Sequence, residues 1–195
     1  ASQFIENKDI LEVGCGSGYG LQIFQKIAKK YYGIEYSEDN LNFIKEKYKD
    51  SIEKVTFGDA HKLEFAENSQ DVIIALAIIY YLNFEKFLSE CTRIIRKNGS
   101  LIFCTTNKSY PGFLKSPLTR EYYNVKELNI ILKKFGFEGE FYGVFPNNRN
   151  YFISQIIGFS KNKLKFIFKK LRFYNFLLFI KEFKNEKKYQ LPINL

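Results

Sequence analysis

Glycine stands at every second position in one short stretch of this chain, and that stretch restricts the fold more than any other. A short and mostly apolar run, residues 10–13, precedes Gly14, Gly16 and Gly18, and a helical apolar pattern begins at Leu21. Glycine adopts left-handed backbone angles at little steric cost and leaves room for a ligand to approach the main chain. The stretch therefore predicts a strand, a tight loop and a helix, the unit across which nucleotide-like cofactors lie in α/β sheets.

Two details of this stretch distinguish between cofactors. The dinucleotide fingerprint G-x-G-x-x-G requires a third glycine where Tyr19 stands. Glu12 lies two residues before the first glycine, where a carboxylate would repel a diphosphate and attract an ammonium group. These features favour S-adenosylmethionine, which has an amino-acid end and a sulfonium, over NAD. A nicotinamide-dependent oxidoreductase is the weaker interpretation of the same unit.

From residue 31 to residue 135 the chain alternates between strand and helix patterns, which is typical of a parallel α/β sheet. The helix after residue 83 is predicted to end at Asn98-Gly99, because glycine commonly follows the last turn of a helix. A further helix is capped by Asn124, with Glu127 three residues later and Gly136 at its end. The predicted strands cover residues 31–35, 54–57, 71–77 and 100–105, and the predicted helices cover residues 38–49, 84–97 and 124–135.

Acidic residues follow two of these strands, where open α/β sheets bind ligands. Glu35 ends the second strand, and a carboxylate there can accept both hydroxyls of a ribose. Asp59 follows the third strand and can accept from an adenine amino group, with the backbone amide of Ala60 facing a ring nitrogen.

Four separated motifs, ILEVGCGSGYG, GIEYS, FGDAHKLEFAENSQDVI and RKNGSLIF, resemble the class I S-adenosylmethionine-dependent methyltransferases over residues 8–145. The similarity is greatest to the small-molecule branch of that family. It implies a doubly wound, Rossmann-like sheet of seven strands, the last antiparallel and formed from residues 138–157. The implied reaction is methyl transfer from S-adenosyl-L-methionine to a small-molecule hydroxyl or amine. The resemblance implies these cofactor contacts: Glu12, Gly14, Cys15, Gly16 and Gly18 at the methionine end, Glu35 at the ribose, Tyr36, Asp59 and Ala60 at the adenine, and a carbonyl of Leu76 or Ala77 at the amino group.

The chain departs from the family after its fourth strand. Many relatives carry Glu and His before a Leu there, whereas residues 79–82 read Ile-Tyr-Tyr-Leu. Tyr81 is therefore a candidate to orient the acceptor or accept its proton, and the alternative is an aromatic wall. His61, the single histidine, is a second candidate base, and its alternative is a loop residue on the adenine side. Alignment and exclusion of water supply much of the rate in methyl displacement, so a missing base does not argue against it.

The loop after the fifth strand supplies two further acceptor candidates, Arg120 and Tyr122. The alternative is that Arg120 forms an ordinary ion pair and that Tyr122 is a covering aromatic ring. No metal site is predicted. The three cysteines form no CxxC pair, which favours a reducing cytoplasm over a disulfide framework or a zinc site.

The net charge of +9 comes almost entirely from residues 161–188, which carry ten Lys and Arg side chains against Glu182 and Glu186. Aromatic and aliphatic residues are interleaved with these charges, a pattern typical of a basic amphipathic helix. Such a helix lies on the inner face of a membrane, or it packs against the sheet or a partner chain. The sequence thus divides into a cofactor-binding domain, residues 1–160, and a helical extension, residues 161–195. Nucleic acid is disfavoured, because the near-neutral domain carries no recognisable reading module.

The basic, aromatic extension suggests a sugar or lipid-linked cell-envelope precursor as the small-molecule acceptor. The alternative function is a catalytically inactive cofactor-binding or scaffold protein that is anchored through the same extension. A hydrophobic content of 46% excludes general disorder. No run reaches the ~20 apolar residues that a spanning helix requires.

Overall fold

The computed structural model describes residues 1–49, 54–110 and 113–143. One compact unit comprises Ala1–Glu138 and a second comprises Gly139–Leu195. The predicted helix at residues 161–188 lies outside the described residues, as does most of the predicted antiparallel strand at residues 138–157. Within the described ranges, no helix is long and apolar enough to cross a bilayer.

Five parallel strands form the sheet of the first unit, in the order β3-β2-β1-β4-β5. The strands are β1 (Asp9–Val13), β2 (Lys30–Glu35), β3 (Val55–Phe57), β4 (Gln70–Leu76) and β5 (Ile95–Cys104). The helices are α1 (Tyr19–Phe24), α2 (Glu38–Lys47), α3 (Phe84–Ile94) and α4 (Val125–Lys134).

The strand order places β1 and β4 side by side at the centre of the sheet. The chain leaves β1 toward β2 and β3, and it leaves β4 in the opposite direction toward β5. Ligands of open α/β sheets bind outside the carboxyl ends of the strands at such a switch point. The topology therefore places the loops after β1 and β4 beside the same crevice.

The two central strands form the middle of the core. Every residue of β1 is buried, as are the consecutive residues 72–75 of β4. Strands of a parallel sheet are covered on both faces, which explains the continuous apolar run at residues 72–76 of β4 and the burial of every residue of β1. Glu12 belongs to β1, so its carboxylate is buried, which is unusual for an acidic side chain.

The helix predicted over residues 84–97 is shorter than expected. α3 ends at Ile94, and β5 begins at the next residue. The guanidinium of Arg96 donates to Asp9 at 3.1 Å and lies 2.9 Å from a carboxylate oxygen of Asp71. These two carboxylates belong to β1 and β4, so they hold residues predicted as helix against the sheet.

The prediction that Asn98-Gly99 ends a helix is also wrong, because the pair lies inside β5. Asn98 has a positive φ of 64°, and the register of β4 with β5 shifts between Gln70 and Val72. The Asn-Gly pair, a common turn sequence, therefore forms a bulge within the strand. The boundaries predicted for the first four strands agree closely with the structure.

The capping box predicted at the start of α4 is confirmed. The Asn124 side chain accepts from the Glu127 N–H at 2.9 Å, and the Glu127 carboxylate accepts from the Asn124 N–H at 2.9 Å. This reciprocal pair satisfies two backbone donors that the first turn of a helix leaves without partners.

We expect Asn124→Ala to lower the free energy of unfolding by about 1 kcal/mol, because α4 loses its cap. Urea denaturation measures the change. The control is Lys126→Ala, on an exposed residue of the same turn. Equal denaturation midpoints for both variants would contradict the expectation.

Candidate cofactor and active site

The loop after β1 has the left-handed backbone that its glycines predict. Gly14, Gly16 and Gly18 have φ values of 70°, 55° and 78°. The backbone N–H groups of Gly14 and Cys15 both donate to the Ile34 carbonyl, at 2.8 and 3.1 Å. Gly18 N–H closes the turn on the Cys15 carbonyl at 3.0 Å. The loop is thus fixed on the carboxyl end of β2.

Two of these glycines serve different purposes. A Cβ at Gly14 would stand 2.8 Å from Cγ2 of Ile78, which follows β4, so this glycine lets the two loops pack together. A Cβ at Gly16 would meet nothing within 4 Å among the described residues. Gly16 therefore borders open space, where the main chain is accessible to a ligand.

Glu35, at the end of β2, joins the loop after β1 to the turn that begins α2. Its buried carboxylate accepts from the N–H of Gly16 at 2.7 Å, of Ser37 at 2.9 Å and of Tyr36 at 3.1 Å. A carboxylate offers about four lone-pair positions, so it can still accept from a ligand hydroxyl. The Glu35 carbonyl accepts from Gly58 N–H at 3.1 Å, which brings the loop after β3 to the same place.

Glu12 lies beneath the glycine loop with only 4% of its surface exposed. The Tyr31 hydroxyl donates to its carboxylate at 2.6 Å, and a Cβ at Gly20 would stand 2.1 Å from Glu12 Oε1. Burial raises the pKa of Glu12 to about 7, an effect that the Tyr31 hydrogen bond opposes and the charge of Glu35 reinforces. The carboxylate that the sequence indicates at this point therefore lies below the loop.

Cys15 is buried within the same loop. Burial raises the pKa of its thiol far above the ordinary value, and the charges of Glu12 and Glu35 add to this effect. The thiol is therefore neutral, and Cys15 contributes its backbone to the loop.

The residues predicted at the adenine lie after β2 and β3. Tyr36 is exposed, and its ring packs against Phe57 with centroids 5.4 Å apart. Asp59 is exposed, whereas Ala60 is buried. These side chains lie on the loops that Glu35 connects to the glycine loop.

The imidazole of His61 has partners at both nitrogens. Asp59 Oδ1 lies 2.8 Å from Nδ1 and accepts from the His61 N–H at 2.9 Å. The Asn83 N–H donates to Nε2 at 3.0 Å, so Nδ1 carries the proton of the neutral ring. In this arrangement the imidazole has no lone pair left for a substrate proton. His61 instead connects Asp59 to Asn83, at the start of α3.

The carboxyl end of β4 carries a backbone conformation that non-glycine residues rarely adopt. Ala77 has a φ of 59°, and its N–H donates to the Cys104 carbonyl at 3.1 Å. Leu76, which precedes it, is half-buried. Such backbone strain costs about 1–3 kcal/mol and is concentrated at functional sites. The strained residue stands next to Ile78, which packs against the glycine loop.

Tyr81 lies after this strained backbone and is 52% exposed. Its ring meets Tyr80 edge-on at 4.7 Å, Tyr80 stacks on Tyr122 at 5.0 Å, and Phe113 meets Tyr122 edge-on at 4.8 Å. We call these four residues the aromatic cluster. Tyr122 is buried within it, as expected of a covering ring, whereas Arg120 is exposed.

The predicted cofactor residues thus come from the carboxyl ends of β1, β2 and β4 and from the loops that follow the first four strands. Among the described residues, no group of three or more His, Cys, Asp or Glu side chains is arranged to hold a metal ion.

Comparisons with known proteins agree with this geometry. The model of a family described as a methyltransferase domain matches residues 11–103. A probable S-adenosylmethionine-dependent methyltransferase of Mycolicibacterium smegmatis is 32% identical over 139 residues, which cover 68% of this chain and 53% of that protein. The chain belongs to the class I S-adenosylmethionine-dependent methyltransferase family.

Other relatives extend the comparison. The crystal structure of a methyltransferase from Aquifex aeolicus, which is 26% identical in sequence, superimposes on this chain with a TM-score of 0.58. The match covers 69% of this chain and 74% of the Aquifex aeolicus chain. A fatty-acid O-methyltransferase of M. smegmatis is 28% identical over 54% of this chain and 40% of its own length. The chain spans about half the length of the curated relatives that it matches. The family uses S-adenosyl-L-methionine as its cofactor.

Three residues that shape the site of this methyltransferase have roles that the sequence does not predict: Tyr31, Gly20 and Ile78. Tyr31 pairs with Ile10, two residues before Glu12, so the two side chains lie on the same face of adjacent strands. That register becomes visible only when the two strands are aligned in the sheet. Gly20 belongs to the helical part of the motif, where its contact with a side chain from β1 has no sequence signature.

The burial of Glu12 predicts a pH-dependent stability. Between pH 4.5 and about 7 the native carboxyl holds a proton that the unfolded chain has lost, so stability falls as pH rises through this range. We expect the unliganded protein to lose about 3 kcal/mol relative to Glu12→Gln, whose amide does not titrate. Urea denaturation across this pH range measures the difference, with the exposed Glu38→Gln as control. Parallel curves for Glu12→Gln and the parent protein would contradict the expectation.

Proposed function

We propose that this protein transfers the methyl group of S-adenosyl-L-methionine to a hydroxyl or amine of a small molecule. The observation that carries the proposal is the arrangement of Glu35, which fixes Gly16 at the open side of the loop while keeping room for a further donor. Family membership supports the reaction, and this geometry supports a cofactor site beside Gly16.

Each predicted cofactor contact receives a role in this proposal. Glu35 accepts from one ribose hydroxyl at the position that its three backbone donors leave open, and Tyr36 lies beside the adenine. The exposed Asp59 accepts from the adenine amino group, with the Ala60 amide next to it. The methionine end is held by Gly14, Cys15, Gly16 and Gly18, by the charge of Glu12, and by a backbone carbonyl of Leu76 or Ala77.

The charge of the site supports an ammonium ligand over a diphosphate. Glu12 and Glu35 are both buried beside the loop, and the charge of Glu35 disfavours ionisation of Glu12. A cation in the crevice would relieve this repulsion, whereas a diphosphate would increase it. Glu12, which lies beneath the loop, therefore favours S-adenosylmethionine over NAD, whereas a carboxylate at the position of Glu35 suits the ribose of either cofactor.

The cofactor, when bound, supplies a methyl group on a positively charged sulfur. The chain has to hold the acceptor atom in line with that carbon and to exclude water. We assign the first task to the hydroxyl of Tyr81, just beyond the carboxyl end of β4, and the second to the aromatic cluster. An amine acceptor would need only to arrive neutral. His61 is assigned a positioning role on Asp59, since both its nitrogens have partners.

The acceptor in this proposal is an apolar or lipid-linked molecule, and a sugar or lipid-linked cell-envelope precursor is the leading example. The aromatic cluster provides a surface that apolar molecules bind, and one relative is named a fatty-acid O-methyltransferase. Peripheral membrane contact through residues 161–188 would suit such an acceptor and stays a prediction from sequence.

Glu35→Gln tests the cofactor site. We expect the variant to bind S-adenosylhomocysteine about ten- to a hundredfold more weakly, because hydrogen bonds to a charged group are lost. Isothermal titration calorimetry measures the affinity. The matched control is Glu38→Gln, an exposed residue in the first turn of α2, which should bind like the parent protein. Tighter binding of NAD than of S-adenosylhomocysteine by the parent protein would overturn the proposal.

Tyr81→Phe tests the acceptor side. We expect kcat to fall about tenfold, because one hydrogen bond that orients the acceptor is lost, while the affinity for S-adenosylhomocysteine stays unchanged. Transfer of labelled methyl groups to a panel of hydroxylated lipids, lipid-linked sugars and amines measures the rate. Intact cofactor binding with no transfer to any member of the panel would favour the scaffold alternative.

A further inference from the structure

A turn beyond β5 displays two leucines to solvent. Thr119 N–H donates to the Ser116 carbonyl at 3.2 Å, which places Leu118 at the corner of the turn. Leu118 is 83% exposed and Leu114 is 84% exposed. They are the two most exposed large hydrophobic side chains among the described residues. Exposed apolar surface that is grouped, in contrast to single scattered side chains, marks sites that a membrane or another molecule covers. We call residues 113–120 the leucine loop.

The base of the leucine loop is fixed, although its tip is exposed. Arg120 and Glu121 donate their N–H groups to the Tyr80 carbonyl at 2.8 and 3.2 Å. Thr119 is buried, and Phe113 packs edge-on against a ring of the aromatic cluster at the other end of the loop. The two leucines are therefore held out from a base that is continuous with that cluster.

Three of the four charged side chains around these leucines are basic. Residues 105–121 contain Lys108, Lys115, Arg120 and Glu121, and the Glu121 carboxylate accepts from the Tyr123 hydroxyl at 3.1 Å. Lys108 is paired with Glu127 at 2.6 Å, which leaves the exposed Lys115 and Arg120 beside the leucines. Apolar side chains flanked by cations match the interface of a bilayer that contains anionic lipids, where acyl chains and negative headgroups lie within one layer.

We propose that the leucine loop inserts into the surface of an anionic phospholipid bilayer and brings the aromatic cluster to that surface. This interaction goes beyond the proposed methyl transfer and does not require residues 161–188. It would let a lipid-linked acceptor reach the site without leaving the membrane.

The sequence contains no tryptophan, so Leu118→Trp introduces a single fluorescent reporter at the corner of the turn. The full chain is mixed with vesicles of equal parts phosphatidylcholine and phosphatidylglycerol, with and without brominated acyl chains. We expect the emission to shift to shorter wavelength and to be quenched by the brominated lipid. The control is Ile130→Trp, on an aliphatic residue of α4 that is 70% exposed, whose emission should stay unchanged.

The control separates the leucine loop from any other membrane-binding segment, because binding through another segment would not bury the reporter at residue 118 selectively. Emission that is unchanged for Leu118→Trp, or equal quenching of both reporters, would overturn the proposal. A shift without vesicles that grows with protein concentration would show that a second copy covers the loop, which would also overturn it.

Charge reversal tests the choice of lipid. Adding Lys115→Glu and Arg120→Glu to Leu118→Trp should weaken binding to the anionic vesicles at least tenfold. If Leu118→Trp without these changes binds vesicles of pure phosphatidylcholine as tightly as the anionic vesicles, the anionic preference is contradicted. Calorimetry with S-adenosylhomocysteine shows that each variant is folded. It also separates failure of membrane insertion from failure of the proposed function, because cofactor binding is measured without vesicles.

Discussion

A buried carboxylate at the end of β2 connects the parts of the site. Glu35 accepts from backbone N–H groups of the loop after β1 and of the turn that begins α2, and its own carbonyl accepts from the loop after β3. Backbone donors that point at one carboxylate fix the loops relative to each other, because each would otherwise be an unsatisfied polar group near the core. Glu35 therefore fixes the position of Gly16, the glycine that borders open space.

The second buried carboxylate, that of Glu12, explains why the motif also has a glycine at position 20. Glu12 occupies the space where residue 20 would carry a Cβ, and Tyr31 from the adjacent strand donates to it. The charge of Glu35 raises the pKa of Glu12, and burial adds to the cost of charging Glu12. In the function proposed above, a positively charged ligand offsets this cost, and the cofactor of the family, S-adenosyl-L-methionine, carries such a charge.

Sequence patterns predict the parts of this fold that follow from local chemistry. The glycine loop, the parallel arrangement of the first five strands and the capping box at Asn124 each depend on neighbouring residues, and each is confirmed. The boundary between α3 and β5 depends on Arg96, whose partners Asp9 and Asp71 are distant in sequence, so helical periodicity alone predicts the wrong end. The roles of Tyr31 and Gly20 were not predicted for the same reason, since their contacts form only when distant strands and helices are packed together.

The direct passage from α3 into β5 has a consequence for how the chain length can vary. Ile94 ends the helix and Ile95 begins the strand, so no connecting residues separate them. An added or deleted residue at this junction would turn the Arg96 side chain to the opposite face of the strand and away from its two carboxylates. The segment at Asn98 can absorb such a change instead, because the strand already bulges there and its pairing with β4 is already interrupted. Related chains should therefore differ in length at the bulge and keep the junction constant.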